Sequence, residues 1–186
     1  MKRIIKTVPF TIPFAKKGNY YRAGNSTGFS TIYVPTTNHM FSQIMCFPEE
    51  ITIDRLAIYV SVAGAAGSVV RMGLYADDGT LHPGQLIYDS GEINTTTTGP
   101  KTAAPPSPIV IAKGTPFWTC LLCGVAAPKP KTSDYSCLST LGTGNAAEGW
   151  LFNGVYANRA YGALPATHPA GMLLQGMKDP VHIRLA

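Results

Sequence analysis

The sequence predicts an all-β domain built as a sandwich or a barrel, and three observations carry that expectation. Gly (19) and Pro (15) make up roughly a fifth of the 186 residues, against a usual share of about 12%, and without a collagen-like period. Several segments alternate apolar and polar residues, the period of a half-buried strand. No segment of ten or more residues carries a convincing helical period.

The elements follow in chain order. Residues 1–28 read as an extended basic arm whose end, "KKGNYYRAGNSTG", is polar and glycine-rich. "FSTIYVP", from Phe29 to Pro35, opens the sandwich proper, which is expected to fill residues 29–186. In "ITIDRLAIYVSV" Leu56, Ile58, Val60 and Val62 share one face, opposite Arg55, Ala57, Tyr59 and Ser61. After the small-residue connection "AGAAG", "SVVRMGLYA" repeats the pattern with Val70, Met72 and Leu74 on one side. "QLIYDSGEI" is the next strand, and "NTTTTGPKTAAPPSP" a polar bridge. "KGTP" then separates a strand at Ile109–Ala112 from one at Phe117–Val125. "DYSCLST" is expected to pair beside it, and "VHIRLA" is the closing strand. Residues 141–178, dense in Gly, Ala and Pro, read as a long excursion with little regular structure, the kind of loop that carries functional surface.

Charge is unevenly placed. Lys2, Arg3, Lys6, Lys16, Lys17 and Arg22 precede the first acid, Glu49, whereas the rest of the chain holds nine basic and ten acidic residues. The net charge of +5 therefore belongs to the arm. Basic arms bind nucleic acid by counterion release, but those arms are denser in Lys and Arg. Pro9, Phe10, Ile12, Pro13 and Phe14 are apolar anchors suited to a protein groove. Docking on a neighbouring protein is the expectation, and nucleic acid is not the expected partner. No stretch approaches the ~20 apolar residues of a membrane helix. The N-terminus, broken by Pro9 and Pro13, does not read as a signal peptide.

The candidate reactive groups mostly have structural readings. Asp77-Asp78-Gly79 between two strands is a turn signal, because Asp and Gly tolerate positive φ. It lacks the alternating acids and distal Glu of a calcium loop, and adjacent carboxylates diverge rather than face each other across a cleft. "GNSTG", Gly24–Gly28, satisfies G-x-S-x-G but lacks the strand before and the helix after that a nucleophile elbow requires. Cys120 and Cys123 lie on one strand with side chains on opposite faces. With Cys46 and Cys137 isolated, neither zinc nor a disulfide is expected, and buried thiols in a protein that folds in a reducing cytoplasm are. His39, His82, His168 and His182 are scattered and read as surface residues. Neither a phosphate-binding loop nor a dinucleotide fingerprint is present. No catalytic residue, metal or cofactor is expected. Trp150, Phe152, Tyr156 and Tyr161 can stack on sugar rings, anchor a protein interface, or pin the excursion to the sandwich.

One long pattern goes further. Ile53-Asp54-Arg55, Arg71, Gly73, Tyr75-Ala76-Asp77, Pro83-Gly84, Leu86, Asp89, Gly91 and the Thr95–Thr98 run form an ordered series. Over residues 51 to 125 it is similar to a module of structural proteins of tailed bacteriophages. The resemblance implies a jelly-roll-like β-sandwich in a virion component: a capsid decoration, head fibre, tail or receptor-contacting protein. It also implies residence in the virion, homo-oligomers, and capsid, portal or tail subunits as partners. In that setting Lys2, Arg3, Lys6, Phe10, Ile12, Phe14, Lys16 and Lys17 are the expected attachment residues. Trp150, Phe152, Tyr156 and Tyr161 are then contacts between subunits. The alternative is a carbohydrate-binding module that uses those aromatics on a host surface glycan.

Overall fold

The computed structural model describes residues 15–23, 29–32, 37–124, 128–133, 154–170, 173–175 and 181–186. Among them are fourteen strands, with no helix, in two antiparallel seven-stranded sheets. The all-β sandwich is therefore observed. The strands are β1 (Tyr20–Tyr21), β2 (Phe29–Ile32), β3 (His39–Met45), β4 (Ile51–Val62), β5 (Val69–Asp77), β6 (Pro83–Asp89) and β7 (Ile93–Asn94). They continue as β8 (Gly99–Ala103), β9 (Ile109–Ile111), β10 (Phe117–Cys123), β11 (Lys129–Ser133), β12 (Gly154–Asn158), β13 (Leu173–Gln175) and β14 (His182–Leu185).

The first sheet is organised around β4. Its order is β1-β14-β4-β11-β2, and β8 and β9 also pair with β4. The alternation of β4 has a break that explains its length. Ile51 and Ile53 point inward, the register with β14 shifts at Asp54, and Leu56, Ile58 and Val60 then point inward on the other parity. Such a bulge lets one strand serve two registers. Val62, expected on the buried face, is exposed because the strand ends there. The second sheet runs β13-β12-β3-β10-β5-β6, with β7 beside β5.

Between the sheets lies the main core: Ile51, Ile53, Leu56, Ile58 and Val60 from one side, Val70, Met72, Leu74, Phe117 and Leu121 from the other. A second cluster occupies the opposite face of the second sheet, where Met40, Ile44, Tyr75, Trp118, Cys120, Leu122 and Val155 meet Leu164. The central strands β3 and β10 of the second sheet are thus buried on both faces. The two cysteines of β10 follow the strand period, Cys123 in the main core and Cys120 in the second cluster.

Several expectations need correction. Residues 39–45, to which the sequence pattern assigns no element, form β3, and part of the polar bridge forms β8. The expected strand from Gln85 starts at Pro83, stops at Asp89 and resumes as β7 after Gly91, whose φ is +70°. The excursion contains β12 and β13. Within the segment expected to be an extended arm, Tyr20 and Tyr21 pair with β14, and Ala15 packs on the core. "DYSCLST" lies outside the described residues.

Candidate functional site

The β5–β6 turn is built by its two aspartates. Asp77 Oδ1 accepts from the backbone N–H groups of Gly79 (2.8 Å) and Leu81 (3.4 Å), while its Oδ2 accepts from Trp118 Nε1 at 2.9 Å. Asp78 Oδ1 accepts from the Thr80 N–H and hydroxyl, each at 2.7 Å, and from His82 N–H. Those donors hold the exposed Asp78 carboxyl below the usual carboxylate range, the Thr80 side-chain bond contributing most. Donors bonded to the charged form favour it. The turn reading of this pair is correct, and Asp77 also satisfies the buried indole of Trp118, 41 residues away.

Opposite this turn a strap, residues 160–169, crosses the outer face of the second sheet. It leaves β12 beside Asn38, whose carbonyl accepts from Arg159 N–H and whose Oδ1 accepts from Tyr161 N–H. Leu164 seats in the second cluster and its N–H donates to Asp89 Oδ2, the same carboxylate that pairs with Arg71 at 2.8 Å. The Tyr75 hydroxyl donates to Pro165 O, Leu86 N–H to Ala166 O, and His168 N–H to Gly84 O. Gly73 shows why the sequence permits the close approach: a Cβ there would stand 2.3 Å from Leu164 Cδ1 and 3.1 Å from Tyr88 O.

Where the strap meets the sheet, Ser42 on β3 and His168 lie 2.9 Å apart. His168 Nδ1 is 3.2 Å from Pro169 O, which can only accept, so Nδ1 carries the proton and Nε2 accepts from the Ser42 hydroxyl. The order serine, imidazole, orienting acceptor is that of an activated nucleophile. Burial argues otherwise, since Ser42 is 1% and His168 6% exposed. Burial pushes the imidazole pKa down to about 4, so the ring is neutral and a poor base at pH 7. As placed, the pair staples the strap to β3. His168, read as a surface residue, is instead one of the few buried polar side chains.

Two grooves flank the aspartate turn. The larger, about 550 Å³, separates it from the strap and is lined by Asp77, Asp78, His82, Gln85, Thr167 and His168, among others. The smaller, about 250 Å³, lies toward the β9–β10 turn and is mostly apolar, with Ala76, Ile87, Ile111, Pro116 and Phe117. Among the described residues no group of three or more His, Cys, Asp or Glu side chains is placed to hold a metal ion, and no helix is long and apolar enough to cross a membrane.

Of the residues singled out in the sequence, Lys16 and Lys17 are exposed beside β1. Lys2, Arg3, Lys6, Phe10, Ile12 and Phe14 lie outside the described residues, as do Trp150 and Phe152. Tyr156 and Tyr161 are half-buried. The Tyr156 ring stacks on His39 at 5.3 Å. The Tyr161 hydroxyl donates to Glu92 at 3.4 Å, and burial raises its pKa to about 12. Both therefore have partners within their own domain. Ser42, Asp89 and Trp118, missed as site residues, acquire their roles from partners distant in sequence. No protein-family model matches the chain, and no curated protein matches it.

Proposed function

We propose that this protein is a non-enzymatic structural component of a tailed-bacteriophage particle, a capsid decoration, head fibre or tail subunit. In this reading a jelly-roll-like sandwich forms a rigid body, present in many copies, and the basic N-terminal segment attaches it to neighbouring subunits. The observation that supports it most is where the phage-like pattern falls in the fold. Ile53 is core, and Asp54 receives Arg184. Arg71 pairs with Asp89, Gly73 admits the strap, and Tyr75 hydrogen-bonds it. Asp77 caps the turn, Gly91 takes positive φ, and Thr95 bonds Ser68 inside the protein. These are positions of a scaffold. A pattern that specifies packing and turns suits a protein selected for shape and assembly.

Residues 15–23 pack on the sandwich, so the test removes residues 1–14 and leaves Ala15 onward. The truncated chain is expected to stay folded by circular dichroism and to be missing from particles assembled in its presence. Full occupancy of particles by the truncated chain refutes attachment through the arm. The carbohydrate-binding alternative expects saturable binding on a glycan array that is lost in Trp150→Ala, with particle assembly unchanged.

A further inference from the structure

We infer that the larger groove, between the aspartate turn and the strap, is a binding site for a sugar unit that is neutral or carries an amino group. The cleft has a volume of about 550 Å³, within the range of roughly 300–1,000 Å³ usual for small-molecule sites. Both walls are fixed before anything enters. The turn is tied by its own carboxylates, and the strap is held to β6 by Leu86 N–H on Ala166 O at 2.8 Å and His168 N–H on Gly84 O at 2.9 Å. Four side chains on those walls keep hydrogen-bonding capacity in reserve. The bonds to the Asp78 carboxylate all fall on Oδ1, which leaves Oδ2 without a donor among the described residues. His82 meets Thr80 Oγ1 through Nδ1, at 3.2 Å, and its Nε2 has no partner there. Gln85 Nε2 donates to Thr167 Oγ1 at 3.0 Å, so the amide oxygen and the threonine hydroxyl proton remain open.

The ligand class follows from this set. Two carboxylates, Asp77 and Asp78, stand on the turn side, and no Lys or Arg is among the described lining residues to offset them, so an anion is repelled. Among the described residues no three ligands gather for a metal ion. An apolar guest would strip the four polar groups of water and offer them nothing in return. The complementary molecule is dense in groups that both donate and accept, carried on a small apolar frame. Adjacent hydroxyls of a sugar ring bond the carboxylate and amide oxygens, and its C–H face lies on Pro83 and Pro169. An amino substituent adds a charge-assisted bond to Asp78. Neither Tyr156 nor Tyr161 is among the described lining residues. The site is thus separate from the aromatic one of the glycan-binding alternative, and it does not depend on a role in a particle.

Titration of the isotopically labelled full chain, followed by heteronuclear NMR, tests it. The titrants are the methyl glycosides of glucose, galactose, mannose and glucosamine, with methyl glucuronide as the acidic control. A glycoside reads the sugar unit itself, whether free or borne on a chain. At least one neutral or amino glycoside is expected to shift the Thr80, His82, Gln85 and Thr167 amides saturably, and the glucuronide is not. Asp78→Asn keeps the Oδ1 acceptor of the turn, and Gln85→Ala changes an exposed position. Each is expected to weaken that binding about tenfold, with circular dichroism unchanged. Trp150→Ala is expected to leave it intact. Titrants that all fail to saturate overturn the inference. So does a glucuronide that binds as well as the glucoside, or binding that Asp78→Asn and Gln85→Ala leave untouched. Binding lost in Trp150→Ala overturns it too, and returns the glycan to the aromatic reading.

Discussion

Asp77 spends both carboxylate oxygens, one on the turn backbone and one on the Trp118 indole. Asp77→Ala leaves the donor of a fully buried tryptophan without its acceptor, at a cost of about 1–3 kcal/mol, whereas Asp77→Asn keeps an acceptor and costs less. Urea melts of the two variants check the difference. His168 supplies a pH dependence. Its folded pKa is about 4 against an ordinary value of about 6.5. The unfolded chain thus binds the proton more readily, and stability is complete above pH 6.5 and falls as pH drops toward 4. The loss amounts to about 3 kcal/mol. Asp77, Asp78 and His82 line the same groove, and the Tyr75 ring edge packs at 5.2 Å. The comparison is therefore made against His168→Gln, which is expected to lose this slope between pH 6.5 and 4 in denaturant titrations. The turn chemistry of Asp77 and Asp78 was legible because it is local. The Trp118 bond and the burial of His168 were not, because both depend on segments 41 and 126 residues away.

The strap is the element that sequence patterning describes least well. Gly, Ala and Pro give it no period, and only Leu164 is an aliphatic anchor of any size. Beside Leu164 and the Ser42–His168 pair, its hold on the sheet comes from backbone carbonyls and amides that give no sequence signal. Leu164→Ala is expected to cost about 2–4 kcal/mol through the cavity it opens. Hydrogen exchange of the Leu164, Ala166 and His168 region is expected to speed up well before that of β10. β3 escaped the sequence reading for the opposite reason. It is buried on both faces, so "HMFSQIM" does not alternate, and Ser42 and Gln43 sit inside, the Ser42 hydroxyl bonded to His168. β4 and β5 were legible because long runs of each show the core a period of two, whereas the bulge at Asp54 is hidden in that pattern.

At the scale of the molecule the sandwich is asymmetric, with the outer face of the second sheet roofed by the strap while Tyr20, Tyr59 and Val110 stand exposed on the first. Cys46, Cys120 and Cys123 are buried free thiols, and desolvation raises the pKa of Cys46 and of Cys123. In a Cys137→Ser background no thiol is expected to react with Ellman's reagent in native buffer, and three are expected to react in denaturant. Reactivity of Cys120 or Cys123 before unfolding contradicts the packing of β10 across both clusters. The architecture was legible as a class from turn residues and period. The assignment of strands to sheets was not, because it is set by pairings between distant segments.

The join between β4 and β14 has a consequence for biosynthesis. Asp54 and Arg184, linked across that join, lie 130 residues apart. The ribosome therefore delivers the longest strand of the first sheet far ahead of the neighbour that covers its flank. Until residues 182–185 emerge, the edge of β4 from Ile53 to Ala57 offers unpaired amides and carbonyls to any nascent chain nearby. A protein made in quantity would need holdase protection or slow, spaced translation to keep those edges apart.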